Sequence, residues 1–178
     1  VSSGMAIQRA AAESSVKHVS LELGGKNPFI VCPDANLDDA IIAATNGMNF
    51  GWQGQSCGST SRLIIHRSQY QELSEKVVAR VKKVKVGHPL DASIKMGPLV
   101  SEAQYEKVLG YIQIATDEGA ELLLGGNPMN IDGCPGGYFV EPTVFGNVTS
   151  TMRIAQEEIF GPVMSLMPYD DLDEAVEI

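Results

Sequence analysis

Apolar residues along this chain fall into two alternating rhythms. Spacings of three and four mark one face of a helix, while strict alternation or a short unbroken apolar run marks a strand. The first rhythm is helical, over Met5-Ala6-Ile7-Gln8-Arg9-Ala10-Ala11-Ala12. His18-Val19-Ser20-Leu21-Glu22-Leu23 then alternates and reads as a strand ending at Gly24-Gly25. Phe29-Ile30-Val31-Cys32 follows Pro28 and reads as a buried strand. Asn36 is placed to cap a helix from Leu37 to about Phe50, with Leu37, Ile41, Ala44 and Met48 near one face. Glycines break the pattern in Gly51-Trp52-Gln53-Gly54-Gln55-Ser56-Cys57-Gly58, and Arg62-Leu63-Ile64-Ile65-His66 reads as the next strand.

Two capping-box spacings follow. Ser68 with Gln71 opens a helix to about Lys85, and Ser101 with Gln104 opens one to about Glu118. Further strands are expected over residues 121–124, 138–144 and 163–168, with a short helix over 152–157 and a helical start at Leu172. Strands alternating with helices predict an α/β fold: a three-layer domain with a mostly parallel mixed sheet flanked by helices. The turn-rich segment 125–137 joins two strands rather than two domains.

Composition narrows the function. The chain has 178 residues, 44% hydrophobic and 20% charged, which suits one soluble domain with a real core. Its net charge of -9 argues against nucleic acid, since little would replace condensed counterions. The basic run Lys82-Lys83-Val84-Lys85 ends a helical pattern, where positive charge complements the helix dipole. No apolar run approaches the roughly 20 residues that span a bilayer, so no membrane partner is expected. Cys32, Cys57 and Cys134 are sparse and odd in number. They suggest neither a disulfide framework nor metal-ligand pairs, and they fit a reducing, cytoplasmic setting with no metal site.

Cys57 stands apart because it lies between Gly54 and Gly58, where a helix gives way to a strand. Glycines permit tight turns and close approach of a substrate. A thiol there can be exposed, with backbone N–H groups facing a developing oxyanion. The bland alternative is a small buried apolar residue, which suits Cys32 in its apolar run. Glu22 likewise reads either as a general base or as a solvent-facing carboxylate at a strand end.

Three stretches then resemble motifs of the aldehyde dehydrogenase superfamily. Leu21-Glu22-Leu23-Gly24-Gly25-Lys26-Asn27-Pro28 resembles its glutamate motif, and Gly54-Gln55-Ser56-Cys57 its catalytic cysteine motif. Glu157-Glu158-Ile159-Phe160-Gly161-Pro162-Val163 resembles a segment under the nicotinamide ribose. Order and spacing match, and weaker similarity joins them, so the resemblance covers essentially the whole chain. Ser59 departs from it, since the family usually has a smaller residue two positions after the cysteine.

The resemblance implies NAD(P)-dependent oxidation of an aldehyde to a carboxylic acid. Cys57 would form a thiohemiacetal and then a thioester, and Glu22 would activate the water that hydrolyses it. Glu22 also favours hydrolysis over transfer to coenzyme A. Contacts to NAD or NADP would come from Leu23 and Gly24 backbone, from Glu158 and Phe160, and from Gln104 and Lys107. From the residues alone, Gln104 is equally a helix cap, Lys107 an exposed helix residue and Phe160 a core residue. Full-length relatives are expected to be homodimers or homotetramers.

By the same resemblance, residues 1–23 are the end of a cofactor-binding region and 24–178 a catalytic domain, both cut by the chain ends. Two other functions compete: a cofactor-free cysteine esterase or thioesterase, and an inactive truncated homologue serving as an interaction domain. The fragment reading predicts that this polypeptide alone binds cofactor poorly and oxidises little aldehyde. Normal turnover with micromolar NAD affinity, measured by titration and steady-state assay, contradicts it.

Overall fold

The middle of the molecule is an almost wholly apolar strand, β7 (Val163–Tyr169), in which only Pro168 is less than fully buried. A strand covered on both faces needs parallel neighbours and helices above and below. The computed structural model describes all of residues 1–178 and shows that arrangement. Around β7 stand β1 (Pro28–Val31), β2 (Arg62–His66), β6 (Thr143–Gly146) and β3 (Glu121–Leu124), in the order β1-β2-β7-β6-β3. The first four strands in that row are parallel, and β3 closes one edge antiparallel to β6.

Alternation along the strands divides the core in two. Val163, Met167 and Tyr169 face one side with Ile64 and Phe145, against Val108, Ile112 and Ala115 of α4 (Glu102–Asp117). Ile154 and Ala155 of the short helix α5 (Arg153–Gln156) join them. Met164 and Leu166 face the other side with Leu63, Ile65 and Val144. There they meet Ile41 and Ala44 of α2 (Leu37–Gly47) and Leu73, Val77 and Val81 of α3 (Arg67–Val81). The fold is therefore the expected mostly parallel α/β sheet with flanking helices. A ribbon of β4 (Pro128–Met129) and β5 (Phe139–Val140), a terminal helix α6 (Leu172–Glu177) and an N-terminal helix α1 (Ser2–Ser14) complete it.

Several local expectations need correction. Residues 18–23 form no strand, because no other segment offers them a ladder, and alternation alone cannot supply one. The expected strand over 138–144 breaks at Glu141-Pro142, and Pro142 has no N–H to continue a ladder. α2 ends at Gly47, three residues early, and Asn49 turns left-handed at φ 57°. α3 starts a residue before Ser68 and stops at Val81. Its cap is His66, whose ring nitrogen accepts from the Ser68 N–H at 3.3 Å. Ser101 does cap α4, accepting from the Gln104 N–H at 3.3 Å.

Phe145 is completely buried between α4 and the sheet. Truncation to alanine is expected to lower stability by about 3–5 kcal/mol, read by denaturant unfolding; a loss under about 1 kcal/mol would mean the layers are not packed as described.

Candidate active site

Parallel pairing sends the segments that enter β1, β2 and β7 to one edge of the sheet. Those segments carry the glutamate, cysteine and Glu158 motifs. Asn27 braces the first two: its side-chain amide donates to the Cys57 carbonyl at 2.5 Å, and its own carbonyl accepts from the Arg62 N–H at 3.3 Å. The second and third meet at Gly54, which holds φ +64° with its Cα against the Gly161 carbonyl. A side chain there would collide with backbone, so only glycine closes the loops this tightly.

The cysteine and the glutamate come together. The Cys57 thiol donates to Glu22 Oε2 at 3.0 Å. That hydrogen bond, then the carboxylate's charge, then partial desolvation push the thiol pKa up; the backbone N–H groups of Cys57 and Gly58 oppose them. Those two amides therefore stand close enough to sense charge on sulfur. Cys57 is half-buried on a braced loop, while Glu22 is exposed on the ladder-free segment.

Glu158 is fixed from three directions. Its Oε1 accepts from the Gly25 N–H at 2.8 Å, and Oε2 occupies the space a side chain on Gly24 would need, at φ +90°. Its backbone carbonyl accepts from Lys107 Nζ at 3.0 Å. Gln104 Nε2 donates to the carbonyls of Ile159 at 2.9 Å and Phe160 at 2.8 Å. Phe160 is left-handed at φ 58°, unusual for a bulky residue, and the Gln104 amide ties down that turn. Thus Gln104 and Lys107 both clamp α4 to the 158–160 turn, and the Gln104 side chain does not complete a capping box.

All eight residues singled out from the sequence, Glu22, Leu23, Gly24, Cys57, Gln104, Lys107, Glu158 and Phe160, line one open cleft of about 580 Å³. Trp52, Gln55 and Ser56 complete its wall. Trp52 is 67% exposed at the rim, and Gln55 Oε1 accepts from the Val100 N–H at 3.1 Å. Gln55 and Asn27 lie within the cysteine and glutamate motifs, but the residue pattern assigned no role to them or to Trp52, because each acts through contacts between distant segments. Trp52 also borders a neighbouring cleft of about 550 Å³ lined by Arg80, Lys83 and Lys95. Cys32 and Cys134 lie outside the cleft as free thiols. No helix is long and apolar enough to cross a membrane.

The site thus sets a thiol and a carboxylate in contact over an open cleft on a mostly parallel α/β sheet. The model of the aldehyde dehydrogenase family matches residues 1–178, and the chain belongs to that family. Betaine aldehyde dehydrogenase of Mesorhizobium japonicum is 50% identical over 166 residues, 93% of this chain and 34% of that protein. The same-named protein of Brucella ovis is 47% identical over 167 residues, 94% of this chain and 34% of its own length. Among solved structures, betaine aldehyde dehydrogenase of Staphylococcus aureus in complex with NAD+ superposes with a TM-score of 0.88 at 38% identity, covering 99% of this chain and 35% of that one. The NAD+ complex of aldehyde dehydrogenase from Bacillus cereus gives 0.86 at 42% identity, covering 98% and 34%. The chain thus spans about a third of the length of these relatives.

Both leading causes of the raised thiol pKa vanish in Glu22→Gln. The thiolate fraction at neutral pH then rises, outweighing the smaller loss of intrinsic nucleophilicity. Iodoacetamide at pH about 7.5 is expected to alkylate Cys57 several-fold faster in E22Q than in wild type. Equal or slower alkylation would show that the carboxylate does not hold the proton.

Proposed function

We propose that this chain carries the thiol and the base of an NAD(P)-dependent aldehyde dehydrogenase of the hydrolytic kind. The observation that carries the reading is the 3.0 Å contact between the Cys57 thiol and Glu22, in a cleft shared with Glu158. We place residues 1–23 with the cofactor-binding part and 24–178 with the catalytic domain.

Cys57 attacks the aldehyde carbon while Glu22 takes the thiol proton, giving a thiohemiacetal. The N–H groups of Cys57 and Gly58 face the oxygen as negative charge builds on it. Loss of hydride leaves a thioester on Cys57. Glu22, having passed the first proton to solvent, removes a proton from the attacking water and returns it to the departing sulfur, so the carboxylic acid leaves with the thiol restored.

The residues present fit a nicotinamide cofactor. Glu158 presents a fixed carboxylate suited to ribose hydroxyls, Phe160 lines the cleft beside it, and Leu23 and Gly24 border the same open space, where a flat ring can lie. When bound, that cofactor accepts the hydride. Gln104 and Lys107 serve it by holding the 158–160 turn. The two solved relatives named above are NAD+ complexes, which supports the same cofactor here. A cofactor-free esterase is less well supported, because no histidine lines the cleft to activate the thiol.

The aldehyde itself is a matter of the cleft rim. Trp52 offers an exposed aromatic face, which attracts quaternary ammonium groups. Betaine aldehyde, in the names of both curated relatives, is therefore the first substrate to test.

In the intact protein, Cys57→Ala is expected to abolish aldehyde-dependent reduction of NAD+. Glu22→Gln, whose thiol ionises more readily without the carboxylate and so needs no base to attack, should give one rapid equivalent of reduced cofactor per site and then turn over roughly a hundred- to ten-thousandfold more slowly. Stopped-flow absorbance separates the two phases. An unchanged steady-state rate in E22Q would sink the assignment of the base.

A further inference from the structure

Lys26 is the one cation in the glutamate motif, and the chemistry above does not use it. Its carbonyl accepts from Arg62 Nε at 3.0 Å, and the preceding residue, Gly25, gives its N–H to Glu158. Lys26 is largely enclosed by its neighbours. It lines a cavity of about 10 Å³ together with Ser56, Ser59, Ser61 and Glu158. That is the space of about one water, and its lining includes three serines, a glutamate and a lysine, residue types that can supply the polar partners a buried water needs. No carboxylate comes within 4.0 Å of Lys26 Nζ, so any link to Glu158 runs through a bridge. Ser59, larger than the residue usual at its position, is 5% exposed and lines this cavity.

We propose that Lys26 is a positioning residue for Glu158, holding its carboxylate against the Gly24-Gly25 turn through one bridging water in this cavity. The functional consequence rests on the reading of Glu158 as a cofactor contact; the structural one does not. Lys26 is half-buried by area but closely enclosed, and desolvation leads in pushing its ammonium down to about 8. The Arg62 charge lowers it further, Glu158 opposes, and Lys107 adds a little. The cation is therefore present at pH 7 and lost as pH rises through about 8, which slackens the hold on Glu158.

The Gly25 amide reports that hold directly, since it donates to Glu158 Oε1. In the intact protein, its NMR resonance is expected to move with a midpoint near 8 in wild type. It should stay flat over that range in Lys26→Met. Lys26→Arg keeps its charge and should hold the resonance at its low-pH position throughout, which preserves the test if the methionine variant does not fold. A Gly25 titration unchanged in either variant overturns the proposal, because its source is then Cys57 or another neighbour. A second readout is NAD+ affinity by fluorescence titration. It should weaken about tenfold above pH 8 in wild type, be weak at every pH in K26M, and be restored at pH 7 in K26R. Wild-type protein that binds no NAD+ at any pH would count against the proposed function, while the Gly25 titration would still decide the role of Lys26.

Discussion

Everything at the site depends on parallel pairing of β1, β2 and β7. Parallel strands enter the sheet from the same side, so their leading segments are forced together however far apart they lie in sequence. Ligands of open α/β sheets commonly sit beyond the carboxyl ends of the strands. Here the cleft gathers at the amino ends. Two contacts onto main-chain carbonyls then make the convergence tight: the Asn27 side-chain amide on that of Cys57 and the close approach of Gly54 to that of Gly161. Burial of β7 on both faces secures the arrangement, because slipping its register by one residue would exchange the side chains fitted into the two core layers.

The electrostatics of the cleft follow from the same crowding. Carboxylates from two of the converging segments reach it, and each finds a different donor. Glu22 meets a thiol, while Glu158 meets a main-chain amide with a lysine behind. One carboxylate is thereby associated with a removable proton and the other with fixed donors. Under the proposed function, that difference in partners, rather than in residue type, suits the first to proton transfer and the second to holding a ligand.

Much of this was legible in the sequence, for stated physical reasons. β1, β2 and β7 announce themselves as short apolar runs, because doubly covered strands must be apolar. The Ser101 cap is local chemistry and reads locally. The eight site residues carried motif-level signals and do share one cleft. What was not legible depends on distant partners. The alternation over residues 18–23 found no ladder, His66 displaced Ser68 as a cap by pairing with it, and Pro142 ended a strand that hydrophobicity alone would continue. The left-handed Phe160 and the Gln104 amide that steadies it are likewise products of contact between α4 and a turn over fifty residues away.

The ladder-free setting of Glu22 has a consequence for timing. With no strand partner to register it, the carboxylate is stationed by the thiol proton it accepts. Under the chemistry proposed, sulfur gives up that proton when it bonds to carbon and has none to share until the product leaves. The tie between the two groups is thus broken by the first covalent event and remade by the last. Glu22 is released to meet water during the interval when water is wanted, so the nucleophile serves as the clock for its own base.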